Sequence, residues 1–254
     1  MSRKCAYCGR GGPVTREEVF PKVISEKIGF SIFVDQTRSG KPTGAVTVRD
    51  VCRRCNNELL GALDQYVGEL YKDYWAEPVR EPVDILFAYR YDLLLRWLLK
   101  AFYNAARARA GQAQLEPLRL NVPYMLGATP RPHFRTSVLV GVALASSASL
   151  AEQELGMPVV FSPLVHKFGD LHFDDPSKES VIALSQSVSL NSYFFLVLVF
   201  RSETADPVRR AIVEGVARDN RVFELDPADK KVRITRVIAD ARAYLFARKT
   251  FRFN

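Results

Sequence analysis

Long apolar runs are missing from this chain of 254 residues. The longest, VLVGVALA at 138–145 and YFFLVLVF at 193–200, hold eight residues each. They are too short to cross a bilayer as helices and well suited to buried strands. The opening MSRK leads straight into a cysteine motif, so no secretion signal is read and a cytoplasmic protein with no membrane partner is expected. Internal repeats, low-complexity tracts and glycine-rich phosphate loops are absent as well. Histidine is scarce at three residues, and all three (His133, His166, His172) lie beyond the first 76. That removes the commonest general base from the N-terminal segment. His166 and His172 are six apart, so on one strand they would share a face, although lone histidines are more often loop or core residues.

Charge is present in excess of one sign. The formal net charge is +8, and residues 1–60 carry eleven Lys and Arg against six Asp and Glu, which is five of that surplus. A basic balance concentrated in one short segment points to a polyanion partner, most simply nucleic acid; the plainer reading is a solvated surface. Cysteine is rare but placed: all four residues fall in the first 55, as Cys5-x-x-Cys8 and Cys52-x-x-Cys55. Two such pairs in an intracellular chain favour a tetrahedral zinc site over free thiols or a redox pair, because two intervening residues let both thiolates reach one ion. Gly9 suits the left-handed turn that such a pair needs.

Forty-three residues separate the pairs, too many for a compact ribbon. TREEVFP suggests a short strand or turn, and SIFVDQTRSGKPTGAVTVRDVC reads as strand, turn, strand. After Cys55, Leu59, Leu60, Leu63, Val67, Leu70, Tyr71 and Tyr74 recur at helical spacing. A cysteine knuckle, a hairpin and a helix around one zinc make a small treble-clef-like, ββα-metal plan over residues 1–76, stabilised by the ion more than by its core.

The order C-x-x-C, T-R-E-E-V-F-P, then C-x-x-C-N-N and a helix resembles the zinc-containing branch of the HNH endonucleases, over about residues 5–75. The resemblance implies metal-dependent hydrolysis of phosphodiester bonds, DNA favoured over RNA, with a structural Zn²⁺ on Cys5, Cys8, Cys52 and Cys55. A catalytic Mg²⁺, Mn²⁺ or Ni²⁺ would be held by Glu17 and Asn56. Glu18 stands where the family has its histidine, and Thr47 where it has its middle asparagine. A carboxylate with a pKa of about 4.3 is a weak base beside a cation, and loss of general-base help costs about two to four orders of magnitude in rate. The implied activity is therefore a nuclease with an altered site, catalytic candidates Glu17, Glu18 and Asn56. The alternative is an inactive zinc module of the same ancestry that binds nucleic acid or a protein partner. Arg16, Lys22, Arg53 and Arg54 are the candidate nucleic-acid contacts. Plainer roles compete: Thr15 and Glu18 match a capping box, and Asn56 or Asn57 a helix cap.

Residues 77–254 are read as one mainly antiparallel α+β domain for recognition, dimerisation or partner contact, with no catalytic constellation. Its elements are a long helix from Asp92 to Gly111, strands in FRTSVLVGVALA, PVVFSPLV, KESVIALSQSVSL and SYFFLVLVFRS, a helix in DPVRRAIVEGVARD, a hairpin around Asp-Pro-Ala-Asp, and a last helix in VIADARAYLFARK. Basic residues at the end of the long helix, Arg107 among them, are read as opposing the helix dipole.

Overall fold

The structure is a computed structural model that describes residues 3–28, 32–33, 46–108, 115–144, 164–173, 181–200, 204–235 and 252–253. In chain order the elements are β1 (Val14–Glu18), α1 (Lys22–Ile28), β2 (Ile32–Phe33) and β3 (Thr47–Cys52). The helix α2 follows over 54–75, an α-helical Gly61–Leu70 flanked by wider π-helical turns at Arg54–Leu60 and Tyr71–Trp75. Next come β4 (Ile85–Ala88), α3 (Tyr91–Ala108), α4 (Leu115–Leu120), α5 (Val122–Met125) and β5 (Thr136–Val142). The chain continues with β6 (Leu164–Phe173), β7 (Val181–Leu190), β8 (Tyr193–Phe200) and α6 (Asp206–Asn220). It closes with β9 (Phe223–Glu224), β10 (Lys231–Ile234) and β11 (Arg252–Phe253). This is a mixture of helix and mostly antiparallel sheet, in keeping with the α+β expectation. Among the described residues no helix is long and apolar enough to cross a membrane.

Two compact units divide the chain, and the first is not simply the N-terminal block. It joins residues 1–31 and 42–73 to 90–134, so the long helix α3 belongs with the cysteine segment and not with the C-terminal strands. The reason lies in α3 itself, whose residues from Leu94 to Ala106 include one buried lysine and one buried asparagine among apolar neighbours. In this unit β1 and β3 pair antiparallel, with Val14 opposite Cys52, Thr15 opposite Val51, Glu17 opposite Val48 and Glu18 opposite Thr47. Arg49 and Asp50 of β3 together oppose Arg16, a bulge that frees the Asp50 carbonyl to accept from Ala6 N–H at 2.8 Å. Thr15 is a strand residue whose hydroxyl donates to Val51 O, which rules out the capping box expected at Thr15 and Glu18.

The second unit holds residues 32–41, 74–89 and 135–254. Its sheet runs β11-β6-β7-β8-β5-β9, with β2 also on β6; β2 and β11 pair parallel and the rest antiparallel. All eight residues of β8 are buried, which explains its unbroken apolar sequence: it is an inner strand covered on both faces. On one face Ile212, Val213 and Val216 of α6 pack over Leu139, Leu196, Leu198 and Phe200. On the other, Phe195 meets Trp75 and Phe87. Gly141 lies opposite Phe194, where a Cβ would come within 2.3 Å of the ring, so only glycine fits there.

Of two expected hairpins, one is not formed and the other lies largely outside the described residues. Ile32–Phe33 pairs with β6, while β3 pairs with β1; residues 34–45, which carry the expected turn, lie outside the described residues. The strands either side of Asp-Pro-Ala-Asp part company, β9 joining β5 and β10 joining β4. At Asp-Pro-Ala-Asp the local turn signal loses to longer-range strand pairing. Most of PVVFSPLV and the whole of VIADARAYLFARK fall outside the described residues.

Candidate metal centre

Cys5 and Cys8 sit on a tight turn closed by Gly9 N–H to Cys5 O and Cys5 N–H to Arg10 O, both 2.9 Å. Gly9 takes the left-handed conformation there, φ +72°. Cys52 ends β3, and Cys55 lies in the first turn of α2. The four sulfurs all lie within 4.8 Å of one another, and those of Cys8 and Cys52 are 3.7 Å apart. A tetrahedral ion with metal–sulfur bonds of about 2.3 Å places its sulfurs about 3.8 Å apart. Burial opposes ionisation of Cys5, but N–H groups of Cys52, Cys8 and Tyr7 outweigh it and bring its pKa down to about 7. Burial and the neighbouring sulfurs push Cys55 the other way. Four thiolates cannot share this space without a cation among them. The donor set, its spacing and its backbone support fit a metal ion such as zinc.

The glutamates separate. As consecutive strand residues they face opposite ways, Glu17 only 4% exposed and Glu18 half-buried. Glu18 accepts from Ser25 Oγ of α1 at 3.3 Å and lies across the ladder from Thr47. Asn56 donates to Thr15 Oγ1 at 2.8 Å and Arg16 O at 3.0 Å, tying α2 to β1; it caps no helix end, and no side chain caps the helix start.

Glu17 Oε1 lies 2.6 Å from Nζ of Lys100, which is fully buried on α3. At that distance the two charges are in direct contact. The same ammonium donates to both carboxylate oxygens of Asp64 on α2, each at 2.7 Å. Burial alone would lower the Lys100 pKa, yet Asp64 and Glu17 together carry it above its ordinary value. At Glu17 burial prevails over Lys100 and moves the carboxyl upward. One ammonium is thus shared by two carboxylates, and Asp64 holds the larger part of it.

Three more residues extend this polar face of α3. Tyr103 OH donates to Ala6 O in the cysteine turn, and Tyr7 OH donates to Asn104 Oδ1 at 2.7 Å. Arg107 donates to Asp50 and to Asn104 and lies over the rings of Tyr103 and Tyr7 at 4.5 and 5.2 Å. It is a bridge to β3 as well as a cation near a helix end.

Arg16, Lys22, Arg53 and Arg54 are all exposed. Arg53 and Arg54 lie between Cys52 and Cys55, and the Asn56 bond to the Arg16 carbonyl brings Arg16 beside the same helix start. Lys22 and Arg54 form exposed pairs with Glu26 and Glu58 within their own helices. His133 is exposed, and β6 carries both His166 and His172. Sequence reasoning missed Asp64, Lys100 and Asn104. One signal was available: a lysine inside the apolar RWLLKAFY stretch has to find carboxylates if the helix is buried. Compared with family models, curated proteins and solved structures, the chain matches none.

Proposed function

We propose that the chain is a nucleic-acid-binding protein built on an HNH-like zinc module that no longer cleaves. The knuckle at Cys5 and Cys8, the β1–β3 pair and α2 serve as a treble-clef-like, ββα-metal scaffold, with a structural Zn²⁺ on the four cysteines. The observation that carries this reading is the ammonium of Lys100 against Glu17: the carboxylate that would hold a catalytic cation is buried and already neutralised. With Glu18 in place of a histidine, the site also lacks an imidazole base. The exposed Arg16, Arg53 and Arg54 beside the cysteine site supply phosphate contacts that need no chemistry.

The test pairs binding with cleavage. A labelled DNA duplex is titrated with zinc-loaded protein at several salt concentrations, and plasmid is incubated with protein and Mg²⁺, Mn²⁺ or Ni²⁺. Salt-sensitive binding without cleavage is expected, and an Arg53→Ala/Arg54→Ala variant should bind about tenfold more weakly with a salt slope shallower by about 2. Metal-dependent cleavage lost in Glu17→Ala would instead establish the nuclease. Absence of binding even at low salt would point to a protein partner.

A further inference from the structure

We propose that Lys100 is the resident cation of the Glu17–Asp64 carboxylate pair, occupying the place a divalent metal would take, so that the wild-type protein holds metal only at its four cysteines. Two carboxylates from different elements, β1 and α2, converge on one point, as ligands of a hard cation do. What stands at that point is an ammonium brought in by α3, with three carboxylate oxygens at 2.6–2.7 Å. Asp64 embraces it with both oxygens, and Glu17 adds the third contact, so the ammonium is surrounded as an ion would be. The carbon stem of Lys100 fills the approach from α3, leaving the side chain without access to water. An ammonium and a divalent cation cannot share these oxygens, because their repulsion at contact distance in a buried site exceeds what either gains.

The arrangement also explains how a buried Glu17 stands beside a part-exposed Asp64: the two would repel one another without a cation, and a covalently tethered one cannot be lost by dilution or chelation. The proposal deepens the non-cleaving reading, yet the two fail separately. Loss of DNA binding says nothing about Lys100, whereas Mn²⁺ held by Glu17 in the wild type without plasmid cleavage would overturn this proposal and leave the non-cleaving, DNA-binding module standing on its binding test alone.

The test uses zinc-loaded full-length protein and Mn²⁺ as probe, read by electron paramagnetic resonance and by thermal melting. Wild type should bind no Mn²⁺ at this site, and its Tm should be unmoved by the ion. Lys100→Met should melt lower, gain one Mn²⁺ site and recover by about 5 °C when Mn²⁺ is saturating. A Lys100→Met/Glu17→Gln double variant should lose that response. Wild-type Mn²⁺ binding abolished by Glu17→Gln or Asp64→Asn overturns the proposal. So does a Lys100→Met protein that neither binds Mn²⁺ nor refolds in its presence.

Discussion

An ammonium cut off from water must be matched by carboxylates, and Lys100 is matched by two. Removing one partner of a buried pair costs about 3–5 kcal/mol, since the remaining charge is left uncompensated. The pH dependence of that contribution follows from the upward shift of Lys100. A cation whose folded pKa lies above its unfolded value stabilises fully below the unfolded value and ceases to do so as pH rises through the folded one. The Tm difference between wild type and Lys100→Met should therefore stay constant over about pH 8–10 and close only above 10.5, the ordinary lysine value, in a pH series of melting curves. A gap that closed near neutrality would show the ammonium to be far weaker than two carboxylates make it. Glu17 has the opposite sign: burial raises its pKa, so its protonation on acidification favours the folded state and it takes no part in acid unfolding.

At the scale of elements, α3 holds the cysteine segment together along one stripe. Lys100, Tyr103, Asn104 and Arg107 recur at three- and four-residue steps and reach, in turn, β1 and α2, the cysteine turn, the end of β1, and β3. Arg107 is the most connected of these, with two guanidinium hydrogen bonds and two aromatic faces. Arg107→Ala should cost about 2 kcal/mol in a denaturant titration. Arg107→Lys should recover less than half of that, because an ammonium has no planar fork to divide between Asp50 and Asn104 and stacks poorly on Tyr103. Full recovery by lysine would mean that only charge matters there. The β3 bulge belongs to the same construction, since it turns the Asp50 carbonyl toward Ala6 and leaves its carboxylate to Arg107.

At the scale of the molecule, the cysteines all fall in one unit and the large sheet in the other. Zinc removal should act on one of them. Metal analysis should find about one zinc per chain, and a strong chelator, or Cys52→Ser, should lower or abolish a melting transition that carries the helical signal of α2 and α3. The sheet built on β5, β7 and β8 should keep its far-ultraviolet signature, because its buried apolar strands need no metal. A single transition unaffected by chelation would remove the metal from the fold.

Much of this was legible in the chain itself. The cysteine pairs, the turn at Gly9, the helix after Cys55, the buried strand YFFLVLVF and the α6 helix rest on local spacing, periodicity and covalent chemistry, which neighbouring residues carry with them. The hairpin at Asp-Pro-Ala-Asp was misread for the complementary reason: such a turn signals a reversal without naming the partner strand, and β10 found β4 across the sequence. The polar contacts of α3 are more distant still, Tyr7 and Asn104 being 97 residues apart and Lys100 and Asp64 36. The sequence alone determined that four cysteines come as two metal-spaced pairs and that two adjacent glutamates follow the first pair. Only the tertiary structure decided what those glutamates meet, because the buried point where Lys100 reaches Glu17 and Asp64 exists only once α3 has been packed against β1 and α2.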